Sequence, residues 1–172
     1  MTLKTIAAIR WTALNCYKAR FILKLDTDTF LRPNLFLNQL SQLSLNYIYG
    51  PHRKPMPPNH DKFCKWYTDP LYFPYKMLPP ALSTTYIIPG LLFGKLYQAI
   101  ILKPQDLTLP ALPIEDIYVS LLAFKAKIKI LKFPGIVFSG REKALSKYKN
   151  TSKSLIMNLS NKTIKKFWDV LK

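Results

Sequence analysis

Residues Arg20 to Leu25, Leu45 to Gly50, Tyr86 to Pro89 and Ile128 to Phe133 form short apolar runs, separated by stretches whose apolar residues recur at helical spacing. Runs this short, with β-branched and aromatic residues at their centres, read as buried strands. The intervening stretches read as helices. Leu3 to Tyr17 carries apolar Leu3, Ile6, Ala7, Trp11 and Leu14, with Thr2 placed to cap it. Leu35 to Leu43 is entered through Pro33, a residue suited to a first helical turn. Leu91 to Leu102 and Ile114 to Phe124 follow, and a basic helix from Ser160 to Leu171 bears Phe167 and Trp168. Helices alternating with short strands predict an α/β layered domain.

At 172 residues the chain is about one domain with room for a substantial core. Its 49% hydrophobic and 13% aromatic content excludes a disordered chain, despite 26 Lys and Arg against nine Asp and Glu and a net charge of +17. The segment Pro51 to Pro80, with "KPMPPNH" and "DPLYFPYKMLPP", is too aromatic for a linker and is expected as an ordered loop region over a cleft. No run reaches the ~18 to 20 apolar residues of a membrane span, and no signal peptide opens the sequence.

The positive charge concentrates at Lys125, Lys127, Lys129 and Lys132 and in the tail from Lys143 to Lys166, and is otherwise scattered singly. Zinc-finger spacing, a basic zipper region and RNA-binding aromatic motifs are all missing, so nucleic acid is not the expected partner. The basic surface is instead expected to be peripheral, turned to acidic headgroups, acidic glycans or solvent. Cys16 and Cys64 are either two buried thiols or one disulfide. Residues 143 to 154 look exposed. Three N-x-[ST] sequons, at Asn150, Asn158 and Asn161, favour a secretory-pathway lumen in which they are glycosylated.

Acids are scarce, so their placement is informative. Four of the nine form two pairs, Asp26/Asp28 closing "FILKLDTDTF" and Glu115/Asp116 in "LPIEDIYVSLL". On an extended strand end, residues i and i+2 share a side, which points Asp26 and Asp28 together and Thr27 away. Converging carboxylates repel unless a cation lies between them, and their hard oxygens suit Mg²⁺ or Mn²⁺ shared with a ligand's phosphates. In open α/β sheets the ligand crevice lies outside the carboxyl ends of the strands, where this pair falls. The bland alternative is an Asp-rich turn capping the next helix. For Glu115 and Asp116 the bland reading is a helix N-terminus stabilised by acids, worth roughly 0.3–1 kcal/mol.

Taken together, these blocks resemble the β-1,3-galactosyltransferase family, which includes the β-1,3-N-acetylglucosaminyltransferases. "TLKTIAAIRWTALNC" followed by "ARFILKLDTDTFLRPNLF" is similar to the family's Leu-Lys-x-Asp-Asp-Asp-x-Phe block and its preceding helix. "KWYTD" and "YFPYKMLPP" resemble its Lys-Trp-Tyr and Tyr-Pro-x-Tyr segment, "LPIEDIYVSLLAFK" its Pro-x-Glu-Asp-Val-Tyr block, and "IKKFWDVL" its closing helix. Order and spacing agree from residue 2 to about residue 133.

The resemblance implies a GT-A type, Rossmann-like glycosyltransferase domain over residues 1–172. It would transfer galactose or N-acetylglucosamine from a UDP-sugar in β-1,3 linkage to an acceptor glycan of a glycoprotein or glycolipid, with inversion and with Mn²⁺. Carried over by position, Asp26 and Asp28 are the metal-binding acids, Asp116 the general base with Glu115 beside it, and Lys24, Trp66, Tyr67, Tyr72 and Tyr75 substrate-binding residues. A Golgi lumenal location and an N-terminal membrane anchor are also implied. Against the family pattern the chain starts immediately before the first helix, so the resemblance implies a GT-A domain incomplete on its N-terminal side. Ser83, Thr84 and Thr85 replace glycine-rich residues, and glycines allow close backbone approach to a ligand. Ser120 replaces a glycine, and Met157 or Asn158 falls where the family has a histidine. These departures motivate an alternative reading: a non-catalytic glycan-binding or structural module that kept the scaffold.

Overall fold

The protein is described by a computed structural model at residues 2–51, 54–64, 67–71, 76–77, 82–83, 85–101, 114–138, 152–157 and 159–171. Along these residues the helices are α1 (Thr2–Asn15), α2 (Pro33–Leu40), α3 (Phe93–Ile101), α4 (Glu115–Lys125) and α5 (Asn161–Leu171). The strands are β1 (Phe21–Lys24), β2 (Phe30–Leu31), β3 (Ile48–Gly50), β4 (Tyr86–Pro89), β5 (Ile130–Lys132), β6 (Ile136–Phe138) and β7 (Leu155–Met157). No helix among the described residues is long and apolar enough to cross a membrane.

The first sheet runs β1-β4-β3-β5, with β4 antiparallel to both its neighbours and β3 parallel to β5. The second runs β2-β7-β6, with β2 antiparallel to β7 and β6 parallel to it. Strand alternation assigns the two faces of the first sheet to different partners. Tyr86 and Ile88 of β4 join Ile9 of α1, Phe93 and Leu96 of α3 and Val119 and Leu122 of α4 in one core. Ile87, turned the other way, joins Phe36 of α2, Phe133, and Leu155 and Met157 of β7 in a second core. A third cluster fastens α5 to the second sheet: Phe167 is fully buried against Phe30 and Ile156, and Trp168 lies edge-on to Phe30. All four residues of β4 are buried, as a central strand covered on both faces demands.

Helices and strands stand close to where periodicity puts them, and Pro33 is at the first turn of α2. The differences have physical reasons. β1 was expected buried but is only half-buried along its length, because it is an edge strand of its sheet. The stripe Leu3, Trp11 and Leu14 on α1 is exposed, at 74%, 60% and 59%, whereas Thr2, Ile9 and Thr12 are buried. The helix docks on α3 and α4 through its Ile6, Ile9 and Ala13 side. Thr2 does not precede the helix as a cap; it is its first residue and is buried. The strands β2, β6 and β7 have no counterpart in the sequence reading. Each is two or three residues long, below the length at which alternation becomes legible. Ser154, expected exposed, is buried against Gln39, to which its hydroxyl bonds at 2.5 Å.

Gly90 follows β4 and donates its N–H to the Arg20 carbonyl at 3.2 Å. A Cβ there would collide with the Ala19 carbonyl oxygen, so only glycine lets the turn after α1 lie against the end of β4. No disulfide joins Cys16 and Cys64, and each is half-buried, so neither a disulfide nor full burial holds.

Candidate active site

β1 delivers Lys24 to the sheet face covered by α4, directly opposite Tyr86 of β4 in the strand register. Past Lys24 the chain leaves the extended conformation. The Thr29 N–H bonds the Asp26 carbonyl at 3.1 Å, closing a turn over residues 26–29. Asp26 and Asp28 therefore stand on a turn, and the same-side argument for an extended strand applies to Lys24 and Asp26 instead. Their charges meet, with Lys24 Nζ at 2.5 Å from Asp26 Oδ1. Thr27 is exposed. The turn is fastened on two sides: Thr29 and Thr85 share a hydroxyl hydrogen bond at 3.2 Å, and the Leu159 N–H donates to the Asp28 carbonyl at 2.9 Å.

α4 brings the second acid pair. Glu115 and Asp116 occupy its first turn, both 8% exposed. Acids belong there, because the first N–H groups of a helix lack intrahelical acceptors and its dipole is positive at that end. Asp116 Oδ1 accepts from the Ile117 N–H at 2.9 Å. The Tyr86 hydroxyl donates to Glu115 Oε1, while Lys24 Nζ lies 3.3 Å from Glu115 Oε2. A single ammonium thus joins the two acid pairs, and it lies 5.6 Å from the centre of the Tyr86 ring. Ser120 acts one turn further along α4, accepting the Leu82 N–H at 2.8 Å and donating to the Asp116 carbonyl at 2.6 Å. The family-pattern glycine thus becomes a tie between α4 and the segment ahead of β4.

The ionisation of this cluster follows from its contacts. Burial pulls the Lys24 ammonium down, but the Asp26 hydrogen bond and the charges of Glu115 and Asp26 outweigh it, leaving its pKa above the ordinary lysine value. Burial, with the Glu115 charge next, drives the Tyr86 phenol far above the ordinary tyrosine range, so it remains a donor.

Asp28 Oδ1 is buried and has no hydrogen-bond partner. An orphaned carboxylate oxygen suits a hard divalent cation that completes its shell with water or phosphate oxygens. Among the described residues no three His, Cys, Asp or Glu side chains cluster as a metal site, so these residues would supply Asp26 and Asp28. Met157 is fully buried in the second core and offers nothing to a cation; Asn158 lies outside the described residues.

Of the aromatic loop, Tyr67 is described and half-buried, paired with Asn59 in an isolated bridge, while Trp66, Tyr72 and Tyr75 lie outside the described residues. The Thr68 N–H donates to the Asn59 carbonyl at 2.7 Å and His60 Nδ1 lies 2.8 Å from the Thr68 carbonyl. Ser83 and Thr85, which stand where glycines were expected, are 1% and 0% exposed. Asn161 is exposed at the start of α5, beside Ser160, whose hydroxyl accepts the Thr163 N–H at 3.3 Å. Asn150 and Asn158 lie outside the described residues. The roles of Tyr86, Thr29 and Thr85 escaped the sequence reading, since cross-strand neighbours carry no local signal.

A mixed α/β domain with Asp26 and Glu115 held by Lys24 at the end of an edge strand is the class the structure defines, and comparison narrows it. The sequence profile of the family described as Galactosyltransferase matches residues 1–134. The chain belongs to the galactosyltransferase family. It is 29% identical over 133 residues to human (Homo sapiens) beta-1,3-galactosyltransferase 2, an alignment covering 74% of this chain and 30% of that protein. It is 30% identical over 148 residues to human lactosylceramide 1,3-N-acetyl-beta-D-glucosaminyltransferase, covering 83% and 37% respectively. With human beta-1,3-galactosyltransferase 5 the identity is 25% over 133 residues, covering 76% of this chain and 41% of that protein. The chain thus spans about a third of the length of the curated relatives it matches.

Proposed function

We propose that this chain carries the metal-binding and proton-accepting half of a β-1,3-hexosyltransferase of GT-A type. Its donor is a UDP-sugar, galactose or N-acetylglucosamine, and its acceptor a glycan of a glycoprotein or glycolipid. The observation that carries this reading is that Lys24 binds one acid of each pair, Asp26 and Glu115, which gathers residues far apart in sequence into one polar centre at the end of β1.

Asp26 and Asp28 would hold Mn²⁺ against the donor diphosphate, where it offsets the charge developing on the leaving UDP. The two acids of α4 divide their work. Glu115 is engaged by the Tyr86 hydroxyl and the Lys24 ammonium and serves to hold the site together. Asp116 is the general base. It takes the proton of an acceptor hydroxyl as that oxygen attacks the anomeric carbon, and the bond from that carbon to the diphosphate oxygen breaks with inversion. Its N–H contact from Ile117 fixes the carboxylate's orientation without supplying a charge. Tyr67 and the aromatic positions Trp66, Tyr72 and Tyr75 would line the acceptor side. The sequons favour a secretory-pathway lumen with glycosylation at Asn150, Asn158 and Asn161, and the family resemblance adds a Golgi location and an N-terminal anchor.

A second reading is favoured by Ser83 and Thr85, whose buried side chains fill space the family pattern leaves to glycines. It makes the chain a glycan-binding module without transfer activity. Two measurements separate the readings. UDP release from UDP-galactose and UDP-N-acetylglucosamine, with a panel of acceptor sugars, is expected only for the transferase. Calorimetry with UDP is expected to give Mn²⁺-dependent binding for the transferase and none for the module. Turnover undiminished in Asp116→Asn would remove the base assignment.

A further inference from the structure

We propose that Lys24 is an internal counter-ion: it holds Asp26 while the turn is free of metal and yields that carboxylate when a divalent cation binds. The proposal rests on the reading of Asp26 and Asp28 as cation ligands and adds to it a competitor built into β1.

The geometry makes the competition specific. Lys24 Nζ is 2.5 Å from Asp26 Oδ1, within the space a cation bound to that oxygen would fill. Two positive charges cannot share one carboxylate oxygen at that range without strong repulsion. Asp28 Oδ1 has no hydrogen-bond partner to give up, whereas Asp26 Oδ1 must release Lys24. Lys24 has somewhere to go. Glu115, far less exposed than Asp26, lies 3.3 Å away and keeps a hold on the ammonium. A cavity of about 250 Å³ between α1 and the sheet, lined by Lys24 and Tyr86 with Thr12 and Ile22, leaves the stem room to move. Asp26, Glu115 and the Tyr86 phenol all face the ammonium, and Asp116 stands next to Glu115 on α4. Released from Asp26 but still held by Glu115, Lys24 becomes a positive group beside an incoming diphosphate, the substrate-binding role its position in the family block implies.

Mn²⁺ titrated into the full chain by calorimetry, without nucleotide, tests this. Lys24→Gln is expected to bind Mn²⁺ about tenfold more tightly than wild type, and Lys24→Arg within about twofold of it, since only the first removes the competing charge. A second measurement needs no variant: acetylation of Lys24 by acetic anhydride, read by peptide mass mapping, is expected to rise several-fold in wild type when Mn²⁺ is added. If wild type binds Mn²⁺ while Lys24→Gln binds equally or less well, or if the Lys24 acetylation rate is unmoved by bound Mn²⁺, the counter-ion role is overturned and the metal site stands. If neither chain binds Mn²⁺, the metal reading itself falls, and this proposal with it. Should Lys24→Gln fail to fold by circular dichroism, the wild-type acetylation result decides.

Discussion

Lys24 and Tyr86 face each other across β1 and β4 and grip the same carboxylate, the ammonium 3.3 Å from Glu115 Oε2 and the phenol donating to Glu115 Oε1. One strand pair thus positions the first turn of α4 against the turn that carries Asp26 and Asp28.

The first prediction concerns Tyr86 at high pH. Lys24 and Tyr86 both have folded-state pKa values raised above those of the unfolded chain. A raised folded pKa contributes stability that is complete below the unfolded value and is lost as pH climbs above it, because the unfolded chain then sheds a proton the folded chain keeps. Stability measured by urea unfolding should therefore fall progressively above about pH 10, where unfolded Tyr and Lys begin to titrate. Tyr86→Phe should flatten that decline. At neutral pH the same variant should lose about 1–3 kcal/mol, since Glu115 forfeits its hydroxyl donor inside the protein. A wild-type stability level from pH 9 to 12 would contradict the assignment.

Asp28 is predicted to trade stability for binding. Its Oδ1 is buried without a hydrogen-bond partner, so Asp28→Asn removes the charge from a carboxylate with one unsatisfied oxygen. Metal-free, the variant should be as stable as wild type or more so, by up to about 1 kcal/mol, as is common where function has kept a strained polar group. Its Mn²⁺ binding by calorimetry should be lost. Retained Mn²⁺ affinity would remove Asp28 from the site.

Ser120 should prove structural. Its hydroxyl accepts the Leu82 N–H and donates to the Asp116 carbonyl inside the first core. Ser120→Ala leaves a buried N–H unsatisfied and should cost about 1–3 kcal/mol in chemical denaturation. Ser120→Gly, which restores the family-pattern residue, should cost at least as much, because glycine adds helix-interior entropy of roughly 0.5–1 kcal/mol relative to alanine. A neutral Ser120→Gly would show that the tie to Leu82 contributes nothing.

Gly90→Ala is expected to be among the most damaging single-methyl additions. The new Cβ would meet the Ala19 backbone carbonyl rather than a movable side chain, so the α1–β1 connection must shift away from β4. Overpacking of this kind costs about 1–3 kcal/mol, visible as a lowered midpoint in thermal unfolding. Because β1 carries Lys24, the same variant should also disturb cation binding at Asp26.

How much of this was legible beforehand differs from element to element. The strand at Tyr86 to Pro89, the helix after Pro33 and the helix opened by Glu115 and Asp116 were all written locally, in apolar periodicity, a proline at a first turn and acids at a helix N-terminus. The acids stood out because the chain has so few of them. Which side of α1 faces the core was not legible: Leu3, Trp11 and Leu14 are more apolar than Thr2 and Thr12, yet the threonines are buried, because docking on α3 and α4 sets the helix rotation. The sequence by itself determined the kinds of element and the supply of charged groups, since propensity, capping and hydrophobic period act over a few residues. Only the tertiary structure decided that Asp26 answers to Lys24, that Tyr86 reaches Glu115 and that Asp28 keeps a bare oxygen, because those contacts depend on strand register and helix docking between segments distant along the chain.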